Sequence, residues 1–128
     1  MKLPLTLNFL FRSVPGGVFL QALTDILSIL LGELEKDSNE VKARCVADCF
    51  RCLRQACGTN HEIQRLIGAH TDLLNNTKLI LVKVLSIQCQ SNAHISILKC
   101  GIQFLGNACV HSNNRRVVWN CFLPITMR

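Results

Sequence analysis

The chain has no tyrosine and a single tryptophan, Trp119, among its 128 residues. Stacking platforms for single-stranded nucleic acid depend on aromatic faces, so they are scarce here. Acidic side chains number only eight, and no two stand at a spacing that acid–base catalysis could use. No phosphate loop and no nucleophile elbow occurs. No run of eighteen uninterrupted apolar residues occurs either, which argues against a membrane span. Lys2 and the apolar stretch 3–11 have the outline of a signal peptide. However, Asn8 interrupts that stretch and no small-residue cleavage site follows before Pro15-Gly16-Gly17. The Asn75-Asn76-Thr77 sequon is a single chance-level match.

What the chain does have is apolar surface and thiol. Hydrophobic residues make up 49% and charged residues only 17%, a balance suited to a chain with neighbours, such as a segment of a larger helical stack. At this length about two thirds of the extended-chain surface can be buried, so one core is possible. The formal net charge is +6, with the fourteen Lys and Arg spread out and Arg115–Arg116 the only adjacent pair. A solvated face or an acidic protein partner accounts for that pattern, and no nucleic-acid ligand is expected. Most of the eight cysteines fall at apolar positions inside helix-like runs. There free cysteine acts as a small hydrophobe, whereas a disulfide framework would place it in loops.

Residues 39–57, NEVKARCVADCFRCLRQAC, form the organising stretch. Cys45, Cys49, Cys52 and Ala56 make one apolar stripe at helical spacing, and Val46, Phe50, Leu53 and Cys57 make a second beside it. Arg44, Asp48, Arg51 and Gln55 repeat the spacing as a polar stripe. There Arg44–Asp48 and Asp48–Arg51 can pair, each worth roughly 0.2–0.5 kcal/mol. Asp37 to Glu40 reads as an Asp variant of the capping box, and Gly58 as a left-handed C-cap.

Around this helix the pattern predicts five more. Val18–Leu34 is apolar on most of its circumference and is expected to be buried on several sides. A short helix spans about Glu62–Ile67 and stops at Gly68. Thr71 or Asp72 caps another that runs to about Ser86, and Gln88–Ser91 is loop-like. Asn92 caps a long helix with Ile95, Leu98, Ile102, Leu105 and Cys109 along one stripe. A last short helix starts near Arg115 and halts at Pro124. Leu53–Cys57 and Leu105–Cys109 align at an offset of 52 residues, each followed by an Asn-containing turn and a short helix. That rhythm belongs to an α-solenoid, though with a period above the ~40–47 residues of armadillo and HEAT repeats.

Asp48–Cys57, DCFRCLRQAC, resembles the ECFRCLRNAC-like segment of the ataxin-10 family. Cys100–Asn107, CGIQFLGN, with Val118-Trp119 beyond it, is similar to that family's CGLQFLGN…VW segment. Order and separation agree, over about residues 38–124. The resemblance implies an all-α, armadillo/HEAT-like α-solenoid fragment, 18–128 being a repeat segment truncated at its C-terminus, while residues 1–17, which have no counterpart in the family, read as an irregular leader closed by Pro15-Gly16-Gly17. It further implies a non-enzymatic, cytoplasmic or perinuclear scaffold for neurite outgrowth, neuronal survival, cytokinesis and Ras–MAP kinase signalling. Protein partners are expected, together with self-association through open solenoid ends.

Two cysteine chemistries compete with this reading. Cys45-x3-Cys49-x2-Cys52 has the spacing of a radical-SAM iron–sulfur motif, but in a helical stretch of a short, strand-poor chain. Cys49-x2-Cys52-x4-Cys57-x3-His61 could be read as a zinc site, yet on a continuous helix Cys57 lies about 80–140° around from the other two. A cysteine-ligated zinc or iron–sulfur protein is therefore the alternative, and no cofactor is expected. None of His61, His70, His94 and His111 is expected to be catalytic, since all sit near element ends. For partner contact the candidates are Arg44, Arg51, Arg54 and Gln55 on one exposed strip. Asn107 is the fifth, as a buried-helix amide that bonds a neighbouring repeat's backbone or lines the binding surface.

Overall fold

Six helices and no strand make up the described residues of the computed structural model, which are 15–36, 39–88 and 90–123. They are α1 (Gly16–Lys36), α2 (Glu40–Thr59), α3 (His61–Ile67), α4 (Thr71–Leu85), α5 (Asn92–Ala108) and α6 (Ser112–Phe122). Residues 1–14, most of the stretch read as a leader, lie outside the described residues, as do Asp37 and Pro124.

The starts and stops follow local chemistry. Asn39 caps α2 by accepting from the Lys42 N–H. Ser91, not Asn92, caps α5. Its hydroxyl accepts from the His94 N–H, and the His94 ring nitrogen Nδ1 accepts from the Ser91 N–H, a reciprocal capping box. At α4 the capping position falls to His70, which makes no side-chain cap bond. Gly58 is not a left-handed C-cap: α2 continues through it to Thr59, and no described residue has a positive φ. The reversal is made instead by Asn60, which ends α2 in extended backbone and at once caps α3 by accepting from the Glu62 and Ile63 N–H groups.

Helices pack like on like. α1 lies on α4, α2 on α5 and α3 on α6, so each rests on the helix roughly one 52-residue offset further along the chain. The α2–α5 contact is the most extensive. At its centre the rings of Phe50 and Phe104 stack with centroids 6.4 Å apart and planes 19° from parallel. Gly101 lets the helices approach this closely. A Cβ there would stand 2.9 Å from a Leu81 methyl and 3.5 Å from the Phe50 ring.

Two expectations about burial are corrected. α1 is buried on one face only, through Phe19, Leu20, Leu23, Leu27, Leu31 and Leu34, while Val18, Ile26 and Ile29 are exposed. Among the described helices α1 packs chiefly against α2, α3 and α4. By length and a mean hydropathy of 1.5 in its most apolar window, α1 could also cross a membrane; here its leucines enter the core. On α5 the face against α2 is Ala93, Ile97, Cys100, Gly101, Phe104 and Ala108. On the stripe Ile95–Leu98–Ile102–Leu105, Ile95 and Ile102 are exposed, while Leu98 and Leu105 pack half-buried against the core. Two apolar stripes run along α5, and the one with the smaller side chains allows the closer approach of the backbones.

Candidate partner-binding surface

The five candidate residues divide into two groups. Arg44 and Arg51 stand two turns apart on α2 and, with Ala47, Asn92, Ala93 and Ser96, line a groove of about 380 Å³ between the N-terminal halves of α2 and α5. Arg44 does not pair with Asp48 as its spacing suggested; it donates to Glu40 at 3.2 Å, one turn earlier. Arg51 does pair with Asp48, at 2.6 Å. The Arg44–Glu40 pair is exposed to water and contributes little to stability, Arg51 is half-buried in its pair with Asp48, and together they present alternating charge along the groove. Gln55, one helical turn beyond Arg51, is exposed.

Arg54 and Asn107 are bridges between helices. The Arg54 guanidinium donates to the Gln103 side-chain oxygen at 2.6 Å and reaches Cys100 Sγ at 3.7 Å. The Asn107 amide donates to the Arg54 carbonyl at 2.9 Å. Gly58 gives that amide its room, since a Cβ at Gly58 would lie 3.1 Å from Asn107 Nδ2.

Asn107 has two companions that sequence reasoning missed. Asn114 on α6, 1% exposed, donates to the Gln64 carbonyl on α3 at 2.5 Å and to the Ala108 carbonyl at 2.9 Å. Asn76 on α4 reaches the Thr24 carbonyl on α1 at 3.5 Å, the longest of the three. The donors lie 53, 50 and 52 residues after their acceptors. One asparagine therefore spans each pair of equivalent helices, placing a neutral amide against a backbone carbonyl of the earlier helix. A signal existed: asparagine is a poor helix former, so one inside a helix calls for a tertiary partner.

The four cysteines of α2 are spread around the helix. On the unbroken α2, Cys45 is exposed, Cys49 half-buried, and Cys52 and Cys57 are buried. Burial pushes the Cys49 thiol up to about 12, with Cys52, Cys45 and Asp48 adding to it. Burial alone raises Cys52 to about 11 and Cys57 to about 12. Nucleophilic attack requires thiolate, and burial disfavours that form at Cys49, Cys52 and Cys57. Among the described residues no three His, Cys, Asp or Glu side chains come together as a metal-holding group. The four histidines sit at helix starts: His61 and His94 in first turns, His70 and His111 at capping positions.

A thiol reagent at neutral pH should therefore modify Cys45 quickly, and Cys52 and Cys57 only after denaturant is added; equal rates for all three would contradict their burial. The pH dependence has a fixed sign. The unfolded chain loses these protons near 9.0 and the folded chain nearer 11 to 12. The unfolded state thus binds fewer protons across that window, and stability should fall as pH rises through it.

Comparison with known proteins finds ataxin-10. The chain is 35% identical to ataxin-10 of Xenopus tropicalis over 85 residues, covering 61% of this chain and 16% of the relative. Against ataxin-10 of Bos taurus it is 29% identical over 121 residues, covering 77% and 24%. With the Homo sapiens protein the figures are 29% over 116 residues, 73% and 23%. The chain thus spans about a sixth to a quarter of the length of the curated relatives it matches. No family model and no solved structure matches it.

Proposed function

From its distant relationship to the ataxin-10 proteins, we propose that this chain is a segment of a non-enzymatic, protein-binding helical-repeat scaffold. The observation that carries the reading is the like-on-like packing of α1–α3 beneath α4–α6, with an asparagine between each equivalent pair. Such packing is how an armadillo-like solenoid grows, one repeat covering the last. It supports a chain whose work is to present a surface. The relationship also supports a cytoplasmic or perinuclear role in neurite outgrowth, neuronal survival, cytokinesis and Ras–MAP kinase signalling. The groove carrying Arg44 and Arg51 is the partner surface in this reading, since both guanidinium groups reach it without carrying any core load.

Affinity capture from neuronal extract with the full chain tests this. Proteins retained by the unaltered chain should be lost to Arg44→Glu/Arg51→Glu at unchanged helical circular dichroism. Retention of the same proteins by both would remove the groove from the proposal, and a chain that retains none would remove the scaffold role.

A further inference from the structure

The 52-residue offset shows more than how the two sets of helices pack. Leu27, Ala43, Val46, Phe50, Leu53 and Ile67 of the first set are all fully buried. Their counterparts 52 positions later are Leu79, Ile95, Leu98, Ile102, Leu105 and Trp119. Of these, Leu79 is 41% exposed, Ile95 51%, Ile102 62% and Trp119 66%, while Leu98 and Leu105 are half-buried. The first set is thus covered on this side by the second, and the second has the same apolar pattern there with no described residue over it.

Charge is distributed just as unevenly. Residues 73–128 contain six Lys and Arg and no Asp or Glu, whereas residues 1–72 contain eight of each, so the whole net charge of +6 lies in the second part. Lys99 shares the face of Ile95 and Ile102 by i, i+4 and i, i+3 spacing, and Arg115 and Arg116 stand in the same relation to Trp119. Lys99 and Arg116 are exposed, and among the described residues neither forms an ion pair. Repeating the offset from the Arg54 carbonyl leads to that of Gly106, where a Cβ would meet nothing within 4 Å.

We propose that the outer face of α4–α6 docks an acidic helical pair of a partner protein, stacked as α5 and α6 stack on α2 and α3. The partner's apolar stripe covers Ile95, Ile102 and Trp119, its carboxylates meet Lys99 and Arg116, and an Asn or Gln amide donates to the Gly106 carbonyl. This rests on the repeat-stack reading of the chain and adds the occupant of its open side. Electrostatic complementarity favours an acidic occupant over a second copy of this chain docked face to face, whose own outer face is equally basic.

The test titrates the full chain with a synthetic peptide of residues 91–123 bearing Lys99→Glu, Arg115→Glu, Arg116→Glu and Trp119→Phe. This peptide keeps the inner face of α5, including Gly101, Phe104 and Asn107, adds the acids, and is silent in tryptophan fluorescence. The expected result is a saturable blue shift of Trp119, weakened about tenfold or more by 0.5 M salt and likewise by Ile102→Asp or Ile95→Asp in the chain. No shift, or equal binding by a peptide that keeps its three basic residues, overturns the proposal. So does binding indifferent to both aspartates, which means exchange for the chain's own α5–α6. Concentration-dependent dimerisation of the chain alone, with Trp119 already buried, assigns the face to a second copy. Helicity and the unfolding midpoint of the unbound chain report the stack itself, so failure of the stack and failure of docking are read separately.

Discussion

Phe104→Ala should lower the unfolding free energy by about 3–5 kcal/mol. Phe104 is fully buried and its ring faces Phe50 across the α2–α5 contact. Truncation removes both the transferred apolar surface and the aromatic partner of Phe50, and the cavity cannot close because Gly101 already holds the backbones together there. A domain of this size holds about 5–15 kcal/mol in total, so the variant should lie near the edge of folding at 37 °C. Phe50→Ala should cost a similar amount, and the double variant less than the sum, since each ring's loss includes their shared contact. Ile102→Ala is the control. It sits on the same helix but faces outward, so it should cost only a few tenths of a kcal/mol. Urea unfolding followed by circular dichroism decides: a loss below 1 kcal/mol for Phe104→Ala would mean that α5 does not pack on α2 through this face.

Asn114→Ala should cost about 1–3 kcal/mol, because it strips a buried donor from two carbonyls. Asn114→Asp is the sharper variant. It keeps the shape but turns a donor into a buried anion facing the Gln64 and Ala108 carbonyls, with only repulsion for its charge. Its loss at neutral pH should exceed that of the alanine variant. The introduced carboxyl is pushed up by desolvation and by those carbonyls, so its proton is retained more readily in the folded state. Stability should then partly recover as pH falls through that raised value, because a protonated carboxyl can donate one of the two bonds. Gly68→Ala probes the same place from the other side, since its Cβ would come within 2.8 Å of Asn114 Oδ1. Equal stability of Asn114→Ala and the unaltered chain would leave the asparagine without the role assigned to it.

The helices themselves were legible, and the reasons are specific. α2 shows because its charged residues from Arg44 to Arg54 fall on one side, so periodicity has a contrast to detect. α5 lacks that contrast. It carries Ile97, Cys100 and Phe104 on one side and Ile95, Leu98, Ile102 and Leu105 on the other. Hydrophobicity alone favours the second stripe, whereas the deciding quantity is the smallness of Ala93, Gly101 and Ala108, which sets how near α2 can come. Gly58 misleads for a related reason: at the end of a helix a glycine reads as a cap, while here it clears space for an amide from a residue 49 positions away. In the candidate strip, Arg44 and Arg51 face the groove, but Arg54 turns toward Gln103, a partner that becomes adjacent only once α5 is in place. The 52-residue repeat was visible in Leu53–Cys57 and Leu105–Cys109. Its rungs at Asn76 and Asn114 were not, because no short motif surrounds them.

Selective 15N labelling of asparagine tests the stack most directly. Exposed Asn75, Asn92, Asn113 and Asn120 supply the reference for freely exchanging side-chain amides. The stack predicts slow exchange for the Asn114 and Asn107 side-chain amides, with nuclear Overhauser contacts to Gln64 and Arg54 about fifty residues earlier. Exchange as fast as that of the exposed set, with contacts confined to near neighbours in sequence, would contradict like-on-like packing and the repeat scaffold built on it.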